Sequence, residues 1–515
     1  MMAAPADGFS AELSALASRV DALEKRTAAL SLLAAPTMWT TNVFISFIAR
    51  FLRMCNYGAI SPVFFLYLAA RGYTTTQIGA LLTAILCGDF VITLYLSTRA
   101  DSFGRRRTLI IASLLKVLAG VVFASTANVI ALTAAGIIGV ISTSGGEIGP
   151  FMAVEQAVLT DSLAAARKVK SIVLSKQDES AAVAVTIGWY TLVGYIAQAA
   201  GALTSGVLVH YLPLWISCTQ VEAYTYVFFL YGVIGGVLSV LYFCLTPECE
   251  VAAKPPAADA PPPVCPAALA PYLPSITLGL RRSASIAIVA RLSVLFALDA
   301  FAGAFVMQTW VAFWFASKWG FTADSVGYLL MAANVVAGAS GVAAAYFVNK
   351  YGAMLTMIAS HAPSNVLLFA VPFMPTGPAA AAMLVARFSI SQMDVPARQA
   401  YVQCVVASDE RSAAGGITNL VRSLGMSLAP LLLGFLSDRA ASDWLFSFPW
   451  LLAGALKLVY DFSLYGLYLC DQTLNQGESR AEKADRAEAA RNEDEQKQPL
   501  LASESKDLEG TSINK

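Results

Sequence analysis

Charged residues and histidines are scarce in this chain. Asp, Glu, Lys and Arg make up 13% of its 515 residues, whereas a soluble domain carries about 25%. The two histidines, His210 and His361, are too few for a histidine-based proton relay or a zinc cluster. The eight cysteines form no C-x-x-C pair, so we expect neither a metal site nor a disulfide framework.

The chain also lacks the local motifs of several enzyme classes. It contains no G-x-S-x-G, no H-E-x-x-H and no P-loop sequence, so we expect neither an enzyme nor a cofactor. The 34 basic and 34 acidic residues cancel, which argues against a nucleic-acid partner. The partners that we expect are a small-molecule substrate and membrane lipids, for a chain that functions as a monomer.

Apolar sequence, in contrast, is abundant. Hydrophobic residues make up 57% of the chain, and the apolar segments suffice for roughly a dozen membrane-spanning helices of about 20 residues. We therefore predict an all-α polytopic membrane protein of about 12 transmembrane helices, arranged as two pseudo-symmetric six-helix bundles. The two bundles are expected to cover residues 42–245 and 292–470.

The remaining segments are polar or rich in proline. Residues 246–291 contain P-P-A-A-D-A-P-P-P, which cannot stay helical and is interpreted as a flexible cytosolic linker. Residues 1–41 are expected to be a cytosolic extension, and residues 471–515 a disordered charged tail. Basic loops face the cytosol, and Arg105 and Arg167 lie on the linker side, so both termini are expected there. The sequence leaves the choice between plasma membrane and internal membranes open.

One pattern occurs twice with a constant spacing. A glycine-bounded loop, an apolar span and a second glycine-bounded loop recur 248 residues further along the chain. The matching pairs are Gly72 and Gly320, Gly79 and Gly327, Asp101 and Asn349, and Gly104 and Gly352. A constant offset through two loops and a span indicates that the chain is one hydrophobic half repeated in parallel.

The loop after the second span resembles the signature G-x-x-x-D-R-x-G-R-R/K of the major facilitator superfamily of secondary transporters. The matching residues are Asp101, Gly104, Arg105 and Arg106, with Asn349 and Gly352 in a weaker second copy. Ser97 and Ser102 replace the glycine and the first arginine of the pattern. The resemblance covers residues 42–469. It implies that the two halves rock about a central cavity and that this motif holds one conformation of the cytosolic gate.

Ionisable residues inside predicted spans are candidates for function, because a charge in the membrane is costly unless it is paired or hydrated. Arg53 in the first span and Asp89 in the second lie at similar depths, roughly 16 and 14 Å from the cytosolic ends at 1.5 Å per residue. A pair between them is predicted, with Arg50 as an alternative partner, either at a substrate site or as a structural salt bridge. Glu155 is interpreted as a boundary residue.

Two acids precede prolines at matching places in the two halves. Glu147 lies in S-G-G-E-I-G-P-F and Asp394 in S-Q-M-D-V-P-A-R-Q, where the prolines would interrupt the fourth and tenth spans. Both acids are candidate proton or cation sites. Arg387 and Arg398 share a helix face with Asp394, and Asp394 and Arg398 could instead neutralise each other.

Asp299 in the seventh span is the first candidate for proton coupling. It lies in A-L-D-A-F-A-G-A-F without a charged neighbour in sequence, and burial disfavours its charged form. Gln308 and Trp310 are candidates for lining a cavity, although Trp310 could also anchor at the membrane interface. Arg422 in the eleventh span is expected to hold an anionic ligand or to act as a counter-ion for Asp299 and Asp394.

Together these features predict a secondary active transporter that moves a small organic solute by alternating access with proton coupling. Two alternatives stay open. The first is a uniporter of the same fold, in which the buried charges only stabilise conformations. The second is a transport-inactive sensor or scaffold, in which the terminal extensions bind partners.

Overall fold

The computed structural model describes residues 40–139, 141, 151–169, 176–250, 283–406, 410–439 and 442–470. Helices dominate these residues, and no β-strand occurs among them. The described part of the first half contains α1 (Thr41–Ala70), α2 (Thr75–Phe103), α3 (Arg105–Ser125), α4 (Val129–Ile138), α5 (Phe151–Val169), α6 (Lys176–Ile216) and α7 (Gln220–Phe243). The second half contains α8 (Ser283–Ala304), α9 (Gln308–Trp319), α10 (Ala323–Tyr351), α11 (Ala353–Ala370), α12 (Gly377–Ser391), α13 (Asp394–Cys404), α14 (Arg411–Asp438) and α15 (Asp443–Cys470).

Ten helical segments in the described ranges are long and apolar enough to cross a membrane, and α4 is a shorter apolar helix. The fourth and tenth predicted spans are not among the ten. The tenth is divided at Gln392 and Met393, directly before Asp394, as its proline predicted. The seventh span is also divided, between Ala304 and Gln308, which the sequence did not suggest. The prediction of an all-α polytopic membrane protein is confirmed.

Several helices begin where the sequence offers a cap. Thr74 and Thr219 precede α2 and α7, and their side chains accept hydrogen bonds from the backbone N–H groups of Gln77 and Glu222. The side chains of Gln77 and Glu222 accept from the threonine N–H groups in return. This reciprocal arrangement satisfies N–H groups that a helix start leaves without partners.

The sequence repeat is also a repeat of backbone geometry. Gly72 and Gly320 have φ of 85° and 65°, and Gly104 and Gly352 have φ of 105° and 84°. Positive φ values are accessible to glycine without a steric penalty. Each pair is one of the 248-residue matches, so the two halves turn in the same conformation at the same places.

The two halves are joined at the end that carries Gly72 and Gly320, here called the far end. The opposite end, where α7 leaves the first half and α8 enters the second, is called the linker end. Two crossings without side chains make the far-end joint: Gly79 of α2 meets Gly434 of α14, and Gly206 of α6 meets Gly327 of α10. Because Gly79 and Gly327 are repeat partners, the crossings are related by the pseudo-symmetry.

Hydrogen bonds and an ion pair accompany these crossings. The Thr75 hydroxyl donates to the Gly434 carbonyl over 3.0 Å, and His210 Nδ1 lies 3.3 Å from Asp324 Oδ1. Aromatic rings add to the joint deeper in the membrane, since the Phe65 and Phe313 centroids are 4.4 Å apart. The far end is therefore held by backbone packing, polar contacts and rings together.

The boundaries of the linker differ from the prediction. Helix α8 begins at Ser283, so residues 283–291 are helical rather than part of a flexible linker. Their sequence, S-A-S-I-A-I-V-A-R, contains neither proline nor glycine and has no reason to break a helix. Residues 1–39, 251–282 and 471–515 lie outside the described part of the chain.

A large side chain at Gly79 is expected to open the far end. A Cβ there would overlap the carbonyl oxygen of Pro430, so Gly79→Leu should increase the separation of α2 and α14 by at least about 2 Å, the spread that side chains impose on packed helices. The measurement is an electron-spin distance between labels at Ala127 and Thr376, in a background without native cysteines.

The control for this experiment is Gly236→Leu, because a Cβ at Gly236 of α7 meets nothing within 4 Å. That variant should leave the distance distribution unchanged. An unchanged distribution in Gly79→Leu as well would show that the glycine crossing does not hold the far end together.

Candidate functional site

The centre of the first half contains a fully buried salt bridge. Arg53 Nη1 lies 2.6 Å from Glu155 Oε1, and Arg53 Nη2 donates to Glu155 Oε2 over 2.8 Å. The hydroxyl groups of Tyr190 and Tyr242 donate to the same carboxylate. Both carboxylate oxygens of Glu155 therefore have hydrogen-bond or ion-pair partners. The bidentate geometry is the one in which a buried ion pair is most stabilising.

Two further cations lie near this salt bridge. The Arg50 guanidinium carbon is 4.5 Å from the Tyr190 ring centroid. The Lys116 ammonium is 3.8 Å from the Tyr57 centroid and 4.9 Å from that of Tyr231, and it has no hydrogen-bond partner among the described residues. The ring faces supply the negative potential that stabilises a cation. Arg50, Arg53, Lys116 and Glu155 are called the first-half cluster below.

The predicted pair between Arg53 and Asp89 is wrong. Arg53 turns toward Glu155, and the interpretation of Glu155 as a boundary residue is wrong as well, since it is 1% exposed. Equal depth along two helices does not determine which faces point at each other. Asp89 is buried, and its Oδ1 has no hydrogen-bond partner in the described ranges.

The second half has a larger charged centre built around Asp299. The Lys457 ammonium contacts Asp299 Oδ1, and Arg422 Nη1 lies 3.1 Å from Asp299 Oδ2. Arg398 Nη1 is 3.6 Å from the same Oδ2 and 2.8 Å from Asp394 Oδ2. The expectation that Asp299 is a lone acid is therefore wrong, because helices α13, α14 and α15 each bring a cation to it.

A histidine and a second carboxylate extend this centre. His361 Nδ1 is 2.7 Å from Asp461 Oδ1, and its Nε2 is 3.5 Å from Asp299 Oδ1. The Asn365 amide donates to Asp461 Oδ2 over 2.8 Å. The second-half cluster, as named below, consists of Asp299, His361, Arg387, Asp394, Arg398, Arg422, Lys457 and Asp461.

The predicted residues of the second-half cluster are brought together. Asp394 and Arg398 form a salt bridge, which agrees with the alternative that they neutralise each other. Arg422 is a counter-ion for Asp299. Arg387 is buried and interacts electrostatically with Asp299 and Asp394. Glu147, the predicted counterpart of Asp394, lies outside the described residues.

Burial separates Arg422 from the other charged groups of its cluster. Its side chain is 25% exposed, whereas those of Asp299, Arg398 and Lys457 are at most 9% exposed. Arg422 is therefore the most exposed cation of the second-half cluster. Its planar guanidinium can bind a carboxylate or phosphate through two parallel hydrogen bonds.

Gln308 lies between the halves, at the first residue of α9. It accepts hydrogen bonds from Ser61 Oγ (3.2 Å) and Gln198 Nε2 (3.4 Å) of the first half. Its own amide donates to Asn334 Oδ1 of the second half over 2.8 Å. That Gln308 lines a cavity stays a prediction. Because the seventh span is broken before Gln308, this side chain reaches the residues of the first half.

Trp310 is not an interface anchor. Its side chain is fully buried, and its ring centroid lies 5.4 Å from that of Phe65 in the other half and 5.4 Å from that of Phe446. The indole therefore packs between a ring of the first half and a ring of the second half.

The signature loop is attached to its own half. Arg105 Nη1 lies 2.5 Å from Asp161 Oδ2. The backbone N–H groups of Arg105 and Arg106 donate to Glu250, over 2.7 and 3.2 Å, so that Glu250 caps the start of α3. The side chains of Asp101 and Asn349 lie outside the described part of the structure.

Asp299, His361 and Asp394 each present a ligand atom within 4.8 Å of the others, a spacing that a metal ion could use. The oxygens of both carboxylates already face Lys457, Arg398 and Arg422. A divalent cation would have to displace these cations, so we interpret the group as an ion-pair cluster rather than a metal site.

The residues that sequence reasoning missed are Lys116, Glu155, His361, Lys457 and Asp461. A signal was present for two of them. Lys457 and Asp461 are four residues apart in an otherwise apolar span, the spacing that places two charges on one helix face. His361 was set aside because the chain has only two histidines, yet one imidazole between two carboxylates forms a site.

Two packed bundles with ionised groups buried at the centre of each define a polytopic membrane protein of the transporter class. The family model described as Major Facilitator Superfamily matches residues 46–430. The chain therefore belongs to the major facilitator superfamily, and the expected family is confirmed.

Among known proteins, the chain is similar to an uncharacterized membrane protein of Saccharomyces cerevisiae, YJR124C. The two are 24% identical over 434 residues, which cover 81% of this chain and 92% of the yeast protein. The fold is similar to that of the nucleoside transporter NupG, with a TM-score of 0.61 at 12% identity, over 83% of this chain and 99% of NupG. It is also similar to the human organic anion transporter MFSD10, with a TM-score of 0.57 at 15% identity, over 82% and 99% of the two chains.

The buried and the exposed salt bridges should differ sharply in their contribution to stability. Glu155→Gln leaves the Arg53 guanidinium buried without its counter-ion, which should cost about 3–5 kcal/mol. Asp161→Asn removes the partner of Arg105, but the Asp161 side chain is 53% exposed, and exposed pairs contribute about 1 kcal/mol or less.

Thermal unfolding of the purified variants in detergent measures this difference. Glu155→Gln should lower the Tm markedly, while Asp161→Asn should remain close to the wild type. Equal Tm values for the two variants would mean that the Arg53–Glu155 salt bridge does not stabilise the first half.

Proposed function

We propose that this chain is a secondary transporter that moves a small organic anion across the membrane by alternating access, coupled to protons. The observation that carries the proposal is the charge balance of the second-half cluster. It contains four fixed cations, Arg387, Arg398, Arg422 and Lys457, against three carboxylates, Asp299, Asp394 and Asp461. With a neutral histidine, the described residues of this cluster leave one positive charge uncompensated.

An uncompensated charge in a membrane interior is costly, and an anionic solute relieves that cost. Gln308 and Asn334 supply neutral hydrogen-bonding groups between the clusters. A solute with an anionic group and further polar groups fits this set of partners.

The far-end joint supports alternating access. The halves meet there through glycine crossings, which allow close contact and contribute no interlocking side chains. If the linker end faces the cytosol, as the basic loops predict, a joint at the far end corresponds to an inward-facing state. The membrane in which the protein resides is left open by this proposal.

The test is uptake of radiolabelled carboxylates, phosphates and matched neutral solutes into proteoliposomes. Arg422→Gln should reduce anion uptake about 10- to 100-fold, because a hydrogen bond to a charged group contributes about 1.5–3 kcal/mol. Arg422→Lys keeps the charge without the planar guanidinium, so its anion uptake should lie between that of the wild type and that of Arg422→Gln. The control is Arg439→Gln at the end of the same helix, where the guanidinium is exposed over Phe435 and far from the cluster.

Preference for neutral solutes, or anion uptake that Arg422→Gln leaves unchanged, would contradict an anion site at this cluster. Anion uptake that ignores an imposed pH gradient would instead indicate a uniporter. Folded protein that moves no solute would favour the sensor or scaffold.

A further inference from the structure

We propose that His361 binds and releases the coupled proton, and that its protonation raises the affinity of the second-half cluster for the anion. The inference rests on the proposed anion transport and identifies the group that couples it to protons. His361 is buried on α11, and both of its ring nitrogens face carboxylate oxygens: Asp461 Oδ1 at 2.7 Å from Nδ1, and Asp299 Oδ1 at 3.5 Å from Nε2.

A neutral imidazole cannot satisfy both of these contacts. It has one N–H donor and one lone pair, so one nitrogen would direct a lone pair at a carboxylate. The doubly protonated ring has two donors and can donate to both oxygens. The two carboxylates therefore favour uptake of a proton by His361.

Other groups oppose that uptake. The Asn365 amide nitrogen lies 3.0 Å from His361 Nδ1, where its N–H favours an unprotonated ring nitrogen. Lys457 contacts the same Asp299 oxygen that faces Nε2. The other cations of the cluster are Arg398 on α13, Arg422 on α14 and Arg387 on α12.

The remaining neighbours are an acid and a ring. Asp394 on α13 is 2.8 Å from Arg398, which compensates its charge. The Tyr460 ring of α15 packs edge-on against the imidazole, with centroids 5.5 Å apart. Two carboxylates that favour the proton and several cations that oppose it therefore surround His361 together.

Protonation of His361 changes the charge that a solute meets. The second-half cluster carries one net positive charge with the neutral ring and two with the imidazolium. An anion binds better to the doubly positive cluster, and by linkage the bound anion strengthens proton binding by the same factor. Asp299 then stays ionised and does not carry the proton itself. One of its oxygens faces the imidazole and the other faces Arg422.

The chain offers a direct spectroscopic test, because it has only two histidines. His210→Gln leaves His361 as the sole histidine, and His210 lies at the far end with its side chain 33% exposed. The purified, ¹⁵N-histidine-labelled variant, carrying an affinity tag without histidines, is titrated from pH 5 to pH 9. The imidazole ¹⁵N shifts should pass from those of a doubly protonated ring at low pH to those of a singly protonated ring at high pH, and a bound anion should move the midpoint to higher pH.

Transport supplies the second readout. Wild type and His210→Gln should take up the anion at least about 10-fold faster at pH 5.5 than at pH 8, which corresponds to a coupling of about 1.4 kcal/mol. His361→Gln should retain uptake with a pH dependence that is nearly flat. Asn365→Asp, which replaces the opposing amide by a carboxylate, should move the ¹⁵N titration midpoint to higher pH.

The outcomes separate the two proposals. A His361 ring that keeps one protonation state throughout the titration overturns the inference, whatever is transported. Undiminished pH dependence in His361→Gln overturns it too, while anion transport itself stands. If His361 titrates but no anion binds to the wild type, the proposal of anion transport is contradicted, and the proposed coupling is contradicted with it.

Discussion

The structure depends on the compensation of buried charge. Six of the described helices of the second half bring ionisable groups to one centre, and Asp299 holds three of the cations there. Inside a membrane a charged group is costly unless it is paired or hydrated, and these groups are paired with one another within the protein. That requirement fixes how α8, α11, α13, α14 and α15 are rotated about their axes. Among the described residues, the same centre has one positive charge more than its acids neutralise, and the proposed anion site rests on this surplus.

The repeat gives the two halves matching turns and a common joint at the far end. Both halves have the same turns at Gly72 and Gly320, and their glycine crossings join the far end without interlocking side chains. Each half is internally held by a buried ionic cluster, whereas the joint between the halves consists of close backbone contacts, a few polar groups and packed aromatic rings. Rigid halves with a separable joint are the mechanical condition for rocking.

The fold could be predicted from the sequence because hydrophobic length and a constant 248-residue offset are properties of the chain alone. The site could be predicted only in part. Asp394 and Arg398 are four residues apart on one helix, so their pairing follows from helical geometry. Arg53 and Glu155 are 102 residues apart, and only the packing of α1 against α5 decides that they meet. Asp299 looked isolated for the same reason: its partners lie on other helices, at Arg398, Arg422 and Lys457.

The central claim is that the surplus positive charge of the second-half cluster recognises an anion. It is tested most directly by thermal unfolding of purified protein with paired solutes, each carboxylate beside its own neutral amide. A ligand that binds only the folded state raises the Tm. At 100 times its Kd it increases the free energy of unfolding by about 2.7 kcal/mol. The account predicts that carboxylates raise the Tm and that their amides do not. Amides that stabilise the protein as well as the carboxylates would contradict it.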